Sequence, residues 1–271
     1  MVILGSFSAF VWVLGDAIKS ADSLKPDRWV PFAGAAVLHF FMLFFLMVLW
    51  DWVLSSVRDP LKDPVLPSWS SLHTAYSRSW LTRYIPGRIW SFAGRIILVN
   101  RLGVPADQAA RSVILEVVFA YGTLTIISGA VLSGIYIHPG VAVITFSVGM
   151  VFFATSLLTT GRLSRGVPSQ TTQVHVSRRV FHRVVRSFSG GSYLSRTLTM
   201  KGIVFYGLYS CMQLASIVLI AASFTELDTS KIVVIAGAWG LSLSAGWLSI
   251  FTPVGLGARD GLAFLLFSQV I

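Results

Sequence analysis

Charge is scarce in this chain, and cysteine is almost absent. Only 12% of the 271 residues are charged, about half the share of an ordinary soluble domain. With 55% hydrophobic residues and a mean hydropathy of +0.75, a water-soluble globule is excluded. The single cysteine, Cys211, rules out an internal disulfide framework. It lies in an apolar run and is expected to pack as a buried thiol. Metal-ligand spacing is missing too, since His39, His73, His138, His175 and His182 are scattered. There is no Walker motif, no Rossmann glycine pattern and no serine elbow. Neither a catalytic residue nor a metal site is therefore assigned, and no cofactor is expected. His39, alone in a Phe-rich run, reads as a core histidine. Met1 to Gly15 has neither a basic leader nor a small-residue cleavage site, which argues against a signal peptide.

What remains is apolar sequence in long blocks. The expectation is one all-α, polytopic integral membrane domain over 1–271, truncated at one or both ends. Six segments have the length of spans: 1–18, 30–57, 107–136, 141–160, 199–223 and 231–250. His138-Pro139-Gly140 marks a tight turn between two of them. The net charge of +10 sits between apolar blocks, where it speaks of topology and anionic lipid rather than nucleic acid. Gly161 to Lys201 carries eight basic residues and no acidic one, so 161–198 is assigned as a cytoplasmic basic loop. Within it Val176, Val180, Val184 and Phe188 recur every four residues. Arg178, Arg179, Arg183 and Arg186 fill other positions. That pattern predicts an amphipathic helix at an anionic membrane surface.

Two stretches interrupt the apolar pattern and direct attention to function. Tyr84-Ile85-Pro86-Gly87-Arg88 breaks segment 69–100, with Arg83 before it and Arg95 after it. Pro253-Val254-Gly255-Leu256-Gly257-Ala258-Arg259-Asp260-Gly261 breaks segment 251–271. Broken backbone and charge persist at membrane depth only where protein or water surrounds them. Both segments are therefore expected to be re-entrant and to meet at a shared polar cavity. A helix starting near Gly87 places Arg88 and Arg95, seven residues apart, on one face. Two guanidiniums there can hold a phosphate. Trp69, Tyr76 and Trp80 read as interfacial aromatics. Glu116 is the one acid in the run Ser112–Tyr136. Arg111 is poorly placed for it on the same helix, so Arg95 or Arg259 is the expected partner. The Gly255–Gly261 loop offers backbone N–H groups to an anion, with packing through small residues as the competing explanation.

These stretches also carry a resemblance. Arg83-Tyr84-Ile85-Pro86-Gly87-Arg88-Ile89-Trp90, Gly94-Arg95, Leu102-Gly103-Val104 and Ser112-Val113-Ile114-Leu115-Glu116 are similar to the membrane domain of the lysylphosphatidylglycerol synthase family. The stretch Pro253–Gly261 resembles that family's Pro-Gly-Gly-Leu-Gly-x-Arg-Glu-Gly motif, with Val254 for a glycine and Asp260 for the glutamate. The resemblance covers most of 70–271. It implies a flippase-like domain with re-entrant segments, here without the soluble transferase domain. The expected function is translocation of an anionic phospholipid or lipid-linked phosphate in a multi-pass protein of a prokaryotic cell membrane. The alternative is a non-transporting accessory that presents a polyprenyl phosphate to a separate glycosyltransferase; another partner class is a lipid-modifying enzyme. A membrane-embedded transferase is disfavoured by the missing base and nucleophile. The substrate-binding set comprises Arg83, Tyr84, Pro86, Gly87, Arg88, Arg95, Glu116, Pro253, Gly255, Gly257, Arg259 and Asp260.

The orientation is directly testable. A cysteine introduced at Ser169 should resist labelling from outside intact cells, whereas one at Asp228, in the acidic loop on the other side, should label. Labelling at position 169 from outside would invert the scheme.

Overall fold

The computed structural model describes residues 27–58, 65–81, 89–133, 196–248 and 258–267. All regular structure among them is helical. The helices are α1 (Trp29–Ser56), α2 (Trp69–Leu81), α3 (Ile89–Arg101), α4 (Ala106–Ser133), α5 (Arg196–Ala222), α6 (Thr229–Leu248) and α7 (Ala258–Phe267). Three regions, Trp29–Ser56, Ala106–Leu132 and Thr197–Ala222, are long and apolar enough to cross a membrane. They match three of the expected spans to within a few residues. The expected span 231–250 is helical over Thr229–Leu248 but is not among those three. Spans 1–18 and 141–160, the turn at 138–140 and the basic stretch with Arg178, Arg179, Arg183 and Arg186 lie outside the described residues. The last residues of the 161–198 loop already belong to α5, which starts at Arg196.

Local chemistry sets the helix ends. Ser68 precedes α2, and its hydroxyl accepts the Ser71 backbone N–H at 3.4 Å. Asp228 caps α6 by accepting the Lys231 backbone N–H at 2.8 Å and the Ser230 hydroxyl at 2.9 Å. Those bonds favour the carboxylate and hold Asp228 below the usual aspartate range. The cap is therefore intact above that range and is lost as pH falls below it. Between α3 and α4 the chain reverses through Gly103, at φ +98°. Gly103 N–H bonds to Asn100 C=O at 3.0 Å and Val104 N–H to Val99 C=O at 3.4 Å. This pair of bonds is a Schellman ending, and it requires the left-handed conformation that glycine adopts without strain. The Asn100 amide reinforces it by donating to the Val104 carbonyl at 2.9 Å.

Helix α4 is the organising element, packing against α1, α3, α5 and α6. Its neighbours contribute Trp50, Val53 and Leu54 from α1, Leu72 from α2, Val99 from α3 and Tyr206 from α5 to one buried cluster around Phe119. Polar side chains tie α4 to its flanks. Thr123 and Ser210 share a hydroxyl bond of 3.0 Å, and Thr125 donates to Ser244 at 2.9 Å. Such interhelical bonds, together with small residues, are how helices associate when the surroundings are as apolar as the side chains. Helix α1 is predominantly apolar, with His39 and Asp51 its ionisable side chains. Phe32, Val37, Phe40, Phe41 and Phe44 are exposed on its outer side, as expected of a helix whose solvent is lipid. Helices α1 and α5 run antiparallel. Arg28 N–H bonds to Ser223 C=O at 3.1 Å, and the Arg28 side chain pairs with Glu226. The start of α1 and the end of α5 therefore share one end of the bundle.

Two expectations need correction. Cys211 is exposed, because it lies on the outward side of α5. His39 is also exposed and lies outside the core, because it lines a cavity between the helices.

Close packing makes a sharp prediction. A Cβ on Gly202 would meet the Phe119 ring at 2.6 Å, while one on Gly207 would meet only Ile127 at 4.0 Å. Phe119 is fully buried and has no room to yield. Gly202→Val should lower stability by about 1–3 kcal/mol in thermal unfolding in detergent. Gly207→Ala should be neutral or gain up to about 1 kcal/mol from helix propensity.

Candidate functional site

The α3–α4 hairpin brings Arg95 and Glu116 together. Their guanidinium and carboxylate form a salt bridge through Nη1 and Oε2. Both residues are buried, at 4% and 5% exposure. Helix α2 completes the cluster. The Tyr76 hydroxyl donates to Glu116 Oε1 at 2.8 Å, and Arg95 Nε donates to Ser79 Oγ at 3.4 Å. The guanidinium also lies 4.0 Å from the Tyr76 ring centre and 5.4 Å from that of Trp50 on α1. Each carboxylate oxygen thus has a donor. The arginine is held by a carboxylate, a hydroxyl and two ring faces, the kind of full satisfaction a buried pair requires.

This cluster forms part of the wall of a cavity of about 320 Å³. Helix α5 lines it with Tyr209, Gln213, Ser216 and Ile220, and α6 with Trp239 and Leu243. From Tyr209 to Ile220 the helix rises about 16 Å, roughly half of a hydrocarbon core of about 30 Å. His39 and Leu43 of α1 line another side. From α7 comes Arg259, whose guanidinium lies 5.8 Å from the Trp239 ring centre. Arg259 pairs with its neighbour Asp260, with Nη2 at 2.7 Å from Oδ1.

Of the expected site residues, Arg95, Glu116 and Arg259 lie on this one cavity. Asp260 is attached to it through Arg259. Arg83, Tyr84, Pro86, Gly87, Arg88, Pro253, Gly255 and Gly257 lie outside the described residues. The expected partner choice for Glu116 resolves to Arg95. Arg111 instead pairs along its own helix with Asp107 at 3.5 Å. Arg259, the other candidate partner, takes Asp260.

Tyr76 corrects the sequence reading. It is no interfacial aromatic but a buried ligand of Glu116, at 2% exposure. Tyr76, Ser79 and Trp80 share one helical face by their three- and four-residue spacing, a signal that could have been read. Trp69 does fit the interfacial reading, being half exposed. The polar stripe Tyr209, Gln213, Ser216 was also missed, although the same periodicity shows it. Trp50 gave no such warning, because a tryptophan inside an apolar run looks like any other core residue. No protein-family model, curated protein or solved structure matches the chain. The likeness to the lysylphosphatidylglycerol synthase membrane domain therefore rests on the quoted sequence stretches alone.

The cluster predicts an order of severity in thermal unfolding. Arg95→Ala strands a buried carboxylate and should cost about 3–5 kcal/mol. Arg95→Lys keeps the charge but loses the ring stacking and the fork, so its loss should be smaller yet clear. Tyr76→Phe, removing one hydrogen bond to a charge, should cost about 1.5–3 kcal/mol. Equal, negligible losses for all three would mean that the cluster is solvated.

Proposed function

We propose that the chain is a polytopic membrane domain that binds an anionic phospholipid or lipid-linked phosphate in this cavity. On this reading it moves the lipid between leaflets without nucleotide hydrolysis. The observation that carries the reading is a buried, hydrogen-bonded Arg95–Glu116 pair in the wall of a cavity among apolar helices. Charge at such depth is expensive and is kept where it lines a polar path or site. The proposal includes the finer architecture read from sequence: about six spans, with the segments 69–100 and 251–271 re-entrant, in a multi-pass protein of a prokaryotic cell membrane. It also includes kinship with the lysylphosphatidylglycerol synthase-type membrane domains.

The electrostatics favour one anionic group. Among the described residues the wall carries Arg95, Glu116 and Arg259 as formal charges. Arg95 and Glu116 cancel. Arg259 remains, its partner Asp260 being half exposed and outside the described wall. A headgroup phosphate would gain the Arg259 guanidinium, and the polar stripe on α5 would carry the headgroup along the cavity while acyl chains stay in lipid.

Reconstitution tests this. In liposomes containing the protein and a fluorescent phosphatidylglycerol, a membrane-impermeant quencher should reach more than the outer-leaflet share of the dye. Protection of the inner share, with lipid still retained by the protein in detergent, would favour the accessory that presents polyprenyl phosphates. In detergent, Arg259→Gln should weaken binding of anionic lipid about tenfold, the scale of one charge-assisted hydrogen bond. Arg183→Ala, in the basic loop, should do little beyond weakening contact with anionic lipid by about 1 kcal/mol.

A further inference from the structure

The cavity wall says more about the headgroup than its charge. Glu116 already holds Arg95 and the Tyr76 hydroxyl, so an ammonium headgroup finds no unengaged carboxylate in the described wall. Arg259, which pairs with Asp260 outside the wall, is the one lining guanidinium beyond the Arg95 cluster, so a second phosphate finds no second one in the described wall. The remaining described polar lining is His39, Ser91, Tyr121, Tyr209, Gln213 and Ser216. Beside these stand two indoles, Trp80 and Trp239. Aromatic faces next to neutral hydroxyl and amide groups suit a saturated ring that presents C–H on its faces and hydroxyls on its rim. Gln213 offers both an acceptor and two donors, the combination that reads adjacent hydroxyls. The volume of about 320 Å³ is at the small end of ligand sites, enough for a headgroup and not for acyl chains as well.

We infer that the lipid taken by this cavity carries a hydroxyl-rich ring, a cyclic polyol or a sugar, joined to its anchor through a single phosphodiester. This rests on the lipid-binding reading above and narrows it. Arg259 takes the phosphodiester, Trp80 and Trp239 flank the ring, and Gln213 selects for hydroxyls.

Calorimetric titration of the purified full chain in detergent with three short-chain lipids tests it. The lipids are dioctanoyl phosphatidylinositol, dioctanoyl phosphatidic acid and a glucosyl dioctanoylglycerol. Phosphatidylinositol should bind at least about tenfold more tightly than either of the others, a margin one or two hydrogen bonds supply. Gln213→Leu should bring it down towards phosphatidic acid while leaving phosphatidic acid unchanged. Ser216→Ala should act in the same direction more weakly. Phosphatidic acid binding as tightly as phosphatidylinositol would overturn the polyol inference and leave the lipid-phosphate reading standing. Glucosyl dioctanoylglycerol matching phosphatidylinositol would keep the hydroxyl-rich ring but contradict the phosphodiester. Binding of none of the three would overturn the lipid reading itself, and this inference with it.

Discussion

A buried arginine has to be answered by the rest of the structure. In this chain Arg95 sits among apolar helices at 4% exposure, and an uncompensated charge in such a place costs several kcal/mol. The answer comes from three other helices: Glu116 on α4, Tyr76 and Ser79 on α2, and the Trp50 ring on α1. Satisfying one guanidinium fixes how α2, α3 and α4 meet and where α1 closes over them. The requirement is directional, unlike apolar packing, and so selects one arrangement from the many that would bury similar area.

The backbone is built to meet that requirement. Gly103 allows the tight reversal that turns α3 back along α4, and the Asn100 amide holds it. Phe119 is fully buried and packs against Tyr206, their rings stacked at 5.8 Å. Further along α4, Thr123 and Thr125 fasten α5 and α6. The cavity is what remains between these fixed helices. Its polar lining is supported by packing that has little freedom to move.

Much of this was legible from composition and periodicity. Three apolar blocks became helices within a few residues of their expected bounds, because span length and hydropathy are set by the bilayer and leave little ambiguity. Glu116 was legible as a paired group since a lone acid in an apolar run must find a cation, and Arg95 was one of two named partners. The face of α2 was not read. Tyrosine suits both interfaces and buried polar clusters, and only the tertiary contact with Glu116 places Tyr76 in the second. Cys211 faces outward and His39 opens onto the cavity, neither of which the apolar sequence around them shows. In lipid an apolar helix has no obligatory inward face, so apolar surroundings in the sequence do not imply burial in the fold. The two Pro/Gly breaks themselves lie outside the described residues. Arg95 and Arg259, which flank them in the sequence, line one cavity.

The central claim is that Arg95 and Glu116 stabilise the fold jointly, each being costly without the other. A double-mutant cycle in detergent measures this directly, using Arg95→Met, Glu116→Leu and the double variant, with unfolding free energies for all four proteins. The account predicts that each single variant loses about 3–5 kcal/mol and that the double variant is more stable than the worse of the two, since it leaves no stranded charge. Additive losses, with the double variant least stable of all, would show that the two side chains do not depend on each other and would contradict the account.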